Sequence, residues 1–424
     1  MHELSQMIKD DMKPALGVTE PGAIAFAVAK ARSFTKGDIK KVNVAMNSGM
    51  YKNAFTCGIP NSNEVGNVFA AALGVVAGNA DKGLESLADV TPEDNVKAQE
   101  MIDQGKITVE LSGITSRIFI EATVETEEDK AIVTIRDSHT NITKIIVNDK
   151  VELETEDEKK TEEDGGEEES HSIHKYTLQQ LYDYVTTVDI EEIRFINEAY
   201  KVNLELFHEG LENPRTTFAR QLLAINNGKE VSDDEQKTAS LMCNAAIEAR
   251  VIGLDKPAMS ITGSGAHGII ATMPLYAAYK VNGYTEEQLL RATALSYLVC
   301  MYIKEYSGRL SAFCGCAIAA GSGMACALVY LRGGTVEMMA HTLNNMASSI
   351  TGMICDGGNQ GCTMKGVAAV DAAYKSVEFA MNGIYISEVH GINGNTPEET
   401  MRNMGLIASP GMVGTEKTIV EIFE

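Results

Sequence analysis

Tryptophan is absent from this chain of 424 residues, and aromatic residues of all kinds make up only 6% of it. The 20 methionines and 37 glycines favour interiors of small or pliable side chains, where helices approach closely. No stretch comes near the roughly 20 consecutive apolar residues that cross a bilayer. The first ten residues, MHELSQMIKD, contain no apolar run of the kind found in export signals. We therefore expect a cytoplasmic protein that does not bind membranes.

Positive charge is also scarce. Lysine and arginine number 36 against 59 aspartates and glutamates, which gives a formal net charge of −23. Because nucleic acids and anionic lipids attract positive surfaces, a nucleic-acid partner is not expected. Eight cysteines are too few for a disulfide scaffold in a chain of this length, so they are expected to be thiols or metal ligands.

The sequence pattern predicts an α+β protein of two domains. Residues 1–150 carry short runs in which β-branched and polar residues alternate, such as KVNVAMN, RIFIEATVET and AIVTIRD, which predict a mixed α/β domain with a mainly antiparallel sheet. Its first helices can pack on the other domain. Residues 172–424 show helical periodicity and predict an all-helical domain. Between them, the acidic run of residues 151–171 predicts a linker or mobile loop.

Two Gly- and Cys-bearing segments interrupt the helical domain. SAFCGCAIAAGSG contains Cys314 and Cys316, and MICDGGNQGCTMKG contains Cys355 and Cys362. Glycines let the backbone curl around a bound group and offer N–H groups to it, and thiolates that converge suit zinc or an iron–sulfur cluster. The other helical cysteines are expected to be small buried hydrophobic residues: Cys243, Cys300 and Cys326.

The chain resembles a known family through several of its segments. Gly315-Cys316 and Cys355-Asp356-Gly357, followed by a third cysteine, look like the cluster-binding segments of iron–sulfur L-serine dehydratases. The whole chain is similar to the L-cysteine desulfidase family, also described as serine dehydratase α-subunit-like, of the UPF0597 type. The segments that carry this similarity are LGVTEPGAIAFA, MYKNAFTCGIPNS, DSHTNI, ITGSGAHGI and the two cysteine segments.

The resemblance implies a [4Fe–4S] cluster held by Cys316, Cys355 and Cys362, with one iron open to substrate. It further implies a lyase that works without pyridoxal phosphate. The open iron would act as a Lewis acid on a small L-amino acid while a base removes the α-proton. L-Cysteine would give pyruvate, ammonia and sulfide, and L-serine would give pyruvate and ammonia.

Four further residues of the helical domain are candidates for the same site. Three of them lie in the ITGSGAHGI segment, and one lies between Cys355 and Cys362. Ser264 and Gly265 lie in a Gly-rich turn whose N–H groups and hydroxyl can hold a carboxylate, and His267 is a candidate base. Relatives commonly have Asn where this chain has Ala266. Asn359, between Cys355 and Cys362, is a candidate substrate-binding residue.

The first domain contributes its own candidates. Lys52 is a candidate catalytic residue and Asn53 a candidate substrate-binding residue, although a solvated lysine and a turn asparagine fit the same loop. Glu20 is a candidate acid or base, or a carboxylate favoured by the helix dipole at a helix start. His139 follows a strand and is expected at the surface, although it could also reach the domain interface.

One position departs from the family pattern. Relatives of the desulfidase type usually carry a cysteine where this chain has Val18, and Cys57 is a possible replacement thiol. This departure keeps a second hypothesis open, a non-catalytic binding or regulatory protein whose thiolates hold a structural metal. The small residues and methionines of the helices are compatible with a homodimer.

Overall fold

The computed structural model describes residues 1–115, 117–155, 173–308 and 310–423. The chain contains both strands and helices, and its second half is mostly helical, so the α+β prediction is confirmed. The helices are α1 (Glu3–Asp11), α2 (Thr19–Arg32), α3 (Ser48–Ala54), α4 (Asn67–Ala77), α5 (Pro92–Asp103), α6 (Leu178–Thr187), α7 (Ile190–Ile193), α8 (Asn197–Glu212), α9 (Phe218–Ile225), α10 (Glu235–Val251), α11 (Gly265–Asn282), α12 (Glu286–Ser307), α13 (Gly321–Leu331), α14 (Val336–Ile350), α15 (Gly361–Met381), α16 (Pro397–Leu406) and α17 (Val413–Phe423). The strands are β1 (Lys13–Leu16), β2 (Ile39–Asn47), β3 (Ile107–Gly113), β4 (Phe119–Thr126), β5 (Lys130–Arg136), β6 (Ile142–Val147), β7 (Lys150–Glu154) and β8 (Pro257–Ser260).

Short 3₁₀ and π-helical turns complete the helices of the described residues. The 3₁₀ turns are Ala80–Glu85, Ile173–Lys175 and Arg194–Ile196, and the π-helical turns are Cys316–Ala320 and Ile407–Gly411. No helix among the described residues combines the length and the apolar character that a bilayer span requires.

The described residues form two compact units whose limits differ from the predicted domains at both ends of the chain. Met1–Gly17 groups with Tyr176–Thr415 in a helical unit. Val18–Lys175 groups with the residues from Glu416 onward in a sheet-containing unit. Contacts distant in sequence decide this grouping, and a hydropathy pattern does not report them.

In the helical unit, α10 forms the centre. It packs against α8, α9, α11 and α15, and every residue from Thr238 to Val251 is buried. A helix without a polar face must be surrounded on all sides. The unit is not entirely helical, because β1 pairs antiparallel with β8, with Lys13 opposite Ser260. Pro14, three residues after the end of α1, prevents the first helix from continuing.

In the sheet-containing unit, six strands lie in the order β3-β2-β4-β5-β6-β7. Only β2 and β3 pair in parallel and the other neighbours are antiparallel, as predicted. Helix α2 packs against β4, β5 and α4. A Cβ atom on Gly74 of α4 would lie 2.8 Å from the Cα of Ala25 in α2, so glycine permits this close approach of two helices.

The sequence pattern missed strand β7. All five of its residues are exposed, so it has no alternation of apolar and polar positions to reveal it. It occupies the beginning of the predicted linker at 151–171, which is therefore a strand through Glu154. Positions 156–171 of that linker lie outside the described residues.

Candidate functional site

Backbone hydrogen bonds join the two cysteine segments of the helical unit. Phe313 and Ile354 form an antiparallel bridge. On either side of it, Cys314 N donates to Met353 O at 3.0 Å, and Cys355 N donates to Ala312 O at 2.6 Å. The first segment therefore lies directly against the second, and thiols that are about 40 positions apart in the chain share one neighbourhood.

Cys316 begins a π-helical turn that continues into α13. Its Sγ lies 3.5 Å from the Sγ of Cys314. Hydrogen bonding from Cys314 lowers the pKa of the Cys316 thiol to about 6, against the opposing effect of burial, and the charges of Lys365 and Arg250 act in the same direction. Cys316 is thus the thiol of this pair that ionises near neutral pH, while its neighbour Cys314 keeps its proton.

The second segment forms a tight loop before α15. Asn359 closes it, since its Oδ1 accepts from Gly361 N at 2.8 Å and its carbonyl accepts from Cys362 N at 2.9 Å. Gly357 has a φ of 109°, which a residue with a Cβ rarely adopts. The side-chain oxygen of Asn359, predicted to bind substrate, is therefore engaged within the loop. Burial raises the pKa of Cys362 to about 12, and the charges of Cys316 and Cys355 add to this effect.

Cationic side chains surround the cysteine segments. Lys304 is 7% exposed and donates from Nζ to Gly308 O at 2.7 Å. Burial lowers its pKa, and interactions with the sulfurs of Cys300, Cys355 and Cys316 oppose that effect. Lys365 forms an ion pair with Asp356. Positive charge close to several thiols stabilises their ionised form, which is the form that binds metals.

The thiols do not converge on one point. Among the described ranges, no three His, Cys, Asp or Glu side chains are grouped tightly enough to hold a single metal ion. A four-iron cluster imposes a different demand, because each thiolate binds its own iron and the sulfurs spread around the cluster. Three thiols on two joined glycine-bearing loops, with cations nearby, are chemically suited to such a group.

His267 lies beside the first cysteine segment. It sits in the first turn of α11, is 7% exposed, and its Nδ1 is 2.5 Å from Thr262 Oγ1. In the tautomer in which the Thr262 hydroxyl donates to Ile261 O at 2.7 Å, Nδ1 donates to Thr262 and Nε2 is the acceptor nitrogen. A Cβ atom on Gly315 would lie 2.8 Å from that Nε2. The predicted base therefore faces the turn between Cys314 and Cys316.

The predicted carboxylate-binding residues lie at the same helix start. Ser264 is the N-cap of α11, and its side chain makes no capping hydrogen bond. Gly265 is the first helical residue and is buried. The structure thus brings Ser264, Gly265 and His267 to the neighbourhood of Cys316.

The sheet-containing unit holds a separate polar cluster. Glu20, in the first turn of α2, is 6% exposed and accepts from Asn53 Nδ2 at 3.0 Å. The Nε2 of His139 lies 3.7 Å from the same oxygen, Glu20 Oε1, and the His139 side chain is 12% exposed. His139 was predicted at the surface, and that prediction is wrong because its side chain is largely buried beside the Glu20 carboxylate.

The charge state of Glu20 follows from this cluster. Burial by itself raises the pKa of its carboxyl, but the interactions with His139 and Asn53 outweigh burial and lower the pKa from 4.5 to about 2. Glu20 is therefore ionised across the physiological pH range.

Lys52 is neither solvated nor in a loop. It lies in α3 with a fully buried side chain whose Nζ is 3.4 Å from Glu416 Oε2. Ser48, one turn earlier, donates to Glu416 Oε1 at 2.7 Å. These contacts give Lys52 a structural partner within its own unit.

The remaining cysteines and the departures from the family pattern are buried. Cys243, Cys300 and Cys326 lie in α10, α12 and α13 with raised pKa values, chiefly because of burial, as predicted for hydrophobic thiols. Cys57 is fully buried and its Sγ donates to Ala54 O at 3.6 Å. Val18 is 3% exposed and Ala266 is 4% exposed.

Sequence reasoning missed the charged residues contributed by neighbouring helices. Arg250 and Lys304 lie in the last turns of α10 and α12. Each stands near other charged residues in an ordinary helical pattern, so only its burial beside the cysteine segments distinguishes it.

Comparison with known proteins shows the family of the chain. A family model described as serine dehydratase alpha chain matches residues 81–421. The chain belongs to the serine dehydratase alpha-chain family. It is 41% identical over 418 residues to a UPF0597 protein of Clostridium botulinum strain Hall, covering 98% of this chain and 97% of the relative.

Other UPF0597 relatives are similar over nearly their full length. One from Caldanaerobacter subterraneus subsp. tengcongensis is 36% identical over 99% of this chain and 97% of the relative. One from Bacteroides fragilis is 34% identical, again over 99% of this chain and 97% of the relative. These alignments extend the similarity over nearly the whole chain, and the names of the relatives state no reaction.

Proposed function

We propose that this protein is an iron–sulfur-dependent β-eliminating lyase that converts L-serine to pyruvate and ammonia, or L-cysteine to pyruvate, ammonia and sulfide. Membership of the serine dehydratase alpha-chain family supports a lyase. The observation that carries the proposal is the placement of His267 Nε2 against the Cys314–Gly315–Cys316 turn, because it puts a buried base beside candidate metal ligands within one unit.

Three residues would hold the cluster: Cys316, Cys355 and Cys362. The lowered pKa of Cys316 favours its thiolate at neutral pH, and the nearby charge of Lys365 favours thiolates at this site. When bound, a [4Fe–4S] cluster supplies a Lewis acid that draws charge from the β leaving group of the amino acid. The thiol of Cys314 is left protonated beside Cys316.

His267 would take the α-proton of the substrate at Nε2. Its Nδ1 lies 2.5 Å from Thr262 Oγ1, and this hydrogen bond holds the ring in one orientation with Nε2 toward Gly315. Loss of that proton, with the β-hydroxyl leaving as water or the β-thiol leaving as hydrogen sulfide, gives aminoacrylate. Its imine tautomer is hydrolysed by water to pyruvate and ammonia. His267 is 7% exposed, so competing water has little access to the ring.

An anaerobic activity screen tests the proposal. The full chain, produced with cluster-assembly support, is assayed for pyruvate with L-serine, L-cysteine and L-threonine while iron and sulfide are counted in the same sample. We expect iron, sulfide and pyruvate formation together. A preparation that stays iron-free and inactive would contradict the proposal. Stoichiometric zinc that survives air, with amino-acid binding but no turnover, would favour the non-catalytic binding protein instead.

A pair of cysteine variants sharpens the test. Cys362→Ser should lower the iron content and abolish pyruvate formation, because serine is a poor ligand for iron in place of a thiolate. Cys326→Ser alters a buried thiol in α13 and serves as the matched control, with iron content close to wild type. Equal iron content in both variants would remove Cys362 from the ligand set.

A further inference from the structure

The hydroxyl that contacts His267 belongs to a strained turn. Ile261 N donates to Ser264 O at 3.3 Å, and Ser264 N donates to Ile261 O at 3.1 Å, so Thr262 and Gly263 are the central residues of a two-residue turn. Both have a positive φ, 52° at Thr262 and 75° at Gly263, which is the pattern of a type I′ turn. Asn, Asp or Gly usually occupies the first central position, because a β-branched residue is an outlier at positive φ. Contacts from outside the turn must therefore hold Thr262 in this conformation.

Asp11, at the end of α1, supplies such a contact. Its Oδ2 accepts a hydrogen bond from Thr262 N. The hydrogen bonds of a two-residue turn join its outer residues, so the N–H of the first central residue needs an acceptor from elsewhere. A carboxylate is a strong acceptor because the bond is charge-assisted. Asp11 thus fastens the backbone of Thr262 from 251 positions away in the chain.

The short sheet β1–β8 brings these two residues together. Lys13 lies opposite Ser260 in its antiparallel register, and extending that register by two positions places Asp11 opposite Thr262. Ser260 Oγ also donates to Lys13 O at 2.6 Å, which ties this end of the pair. Both segments belong to the helical unit. The beginning of the chain therefore fixes the turn that precedes α11.

We infer that Asp11 is a positioning residue for His267. Its carboxylate holds the backbone of Thr262, whose Oγ1 lies 2.5 Å from His267 Nδ1. A turn released from Asp11 would relax its unfavourable φ and carry the hydroxyl away from the ring. The ring would then lose the orientation that directs Nε2 toward Gly315. This inference rests on the proposed lyase function for the role of His267 as the base, and it adds a residue that acts through Thr262.

Two substitutions of Asp11 test the inference in the cluster-loaded full chain. Asp11→Ala removes the acceptor, whereas Asp11→Asn keeps an oxygen that can accept from Thr262 N. Asp11→Ala should lower kcat for pyruvate formation by roughly 10- to 100-fold and leave KM within about twofold, as expected for a misplaced catalytic group. Asp11→Asn should recover most of that loss. Asp10→Ala removes an exposed carboxylate one position earlier in α1 and should keep the wild-type kcat.

The ring of His267 provides a readout that does not depend on turnover. The full chain, labelled with ¹⁵N-histidine and isolated without iron, has eight histidines, and His267→Gln identifies the signals of this ring. At about pH 8.5, above the usual histidine pKa, the wild type and Asp11→Asn should show a single tautomer of His267. Asp11→Ala should show averaged ¹⁵N shifts, because the released ring exchanges between tautomers.

A second pair of variants applies if Asp11→Ala fails to fold. Thr262→Val keeps the β-branched shape and the N–H that donates to Asp11 but removes the hydroxyl, so it should give averaged ring shifts and the lowered kcat. Thr262→Ser keeps the hydroxyl and should give the single tautomer. A single tautomer in Thr262→Val would overturn the inference, since the link from Asp11 to the ring runs through that hydroxyl.

Three other outcomes would overturn the inference. One is a wild-type kcat and a single tautomer in Asp11→Ala. Another is a lowered kcat in Asp11→Ala that accompanies a loss of iron while the ring signals stay unchanged, which would make Asp11 a structural residue of the cysteine site. The third is an equal loss of kcat in Asp11→Ala and Asp11→Asn with wild-type ring signals in both. If the wild type makes no pyruvate, the lyase proposal fails, and the ring signals alone decide whether Asp11 positions His267.

Discussion

Replacing Lys52 by methionine separates a structural role from a catalytic one. Its side chain is fully buried, and its Nζ lies 3.4 Å from Glu416 Oε2. The Glu416 carboxylate also accepts a hydrogen bond from Ser48 at 2.7 Å. Without Lys52, a buried carboxylate would keep that one bond and lose its counter-charge. We therefore expect Lys52→Met to destabilise the sheet-containing unit.

The size of the loss follows from burial. Breaking one side of a buried ion pair costs about 3–5 kcal/mol, because the remaining charge is left uncompensated. For a unit of roughly 150–250 residues, each kcal/mol shifts the melting temperature by about 2–4 °C. The expected decrease is therefore about 6–20 °C. Adding Glu416→Gln should recover much of it, since the neutral amide needs no counter-charge and can still bond to Ser48.

Differential scanning calorimetry of the full chain measures this decrease. Lys82→Met is the matched control, because Lys82 pairs with Asp89 in the same unit while 38% exposed, and exposed pairs contribute at most about 1 kcal/mol. A Lys52→Met protein that melts with the wild type would refute the structural reasoning. If that variant also lost pyruvate formation, Lys52 would return to the list of catalytic candidates.

Two further predictions concern Glu20 and Gly315. The folded-state pKa of Glu20 is about 2 against 4.5 when unperturbed, so its ionised form stabilises the fold above about pH 4.5 and this contribution is lost as the pH falls toward 2. Between about pH 5 and pH 3, the free energy of unfolding measured with urea should fall by about 2 kcal/mol more in the wild type than in Glu20→Gln. Equal decreases in the two proteins would contradict the lowered pKa of Glu20. Gly315→Ala places a Cβ 2.8 Å from His267 Nε2, so it should displace the ring and slow pyruvate formation. Gly352→Ala is the control, because no atom lies within 4 Å of its added Cβ, and it should not slow the reaction. Equal rates in the two alanine variants would show that the ring tolerates the added methyl.

Local patterns predicted most of the secondary structure. Strands β2 to β6 alternate buried and more exposed positions, and this period of two is visible in the letters of the sequence. Strand β7 was missed because it buries no residue. The sheet β1–β8 was missed because each strand has four residues, too few for a period to emerge.

Charged residues of the candidate sites were harder to predict. Glycine-bearing loops identified Cys355 and Cys362 as candidate ligands, and their assignment to a cluster remains a prediction. Nothing in the local sequence distinguishes the buried Lys52 from a solvated lysine or His139 from a surface histidine. Their partners, Glu416 and Glu20, lie 364 and 119 positions away in the chain.

The sequence by itself determined the fold class, the helical periodicity and the cysteine loops, because each depends on residues that are neighbours along the chain. Tertiary structure alone decided which helix ends meet. It placed Arg250 at the end of α10 against Gly265 at the start of α11, and it turned His267 toward Gly315. Charge and burial at such meeting points depend on packing between distant segments, and no local pattern of residues encodes them.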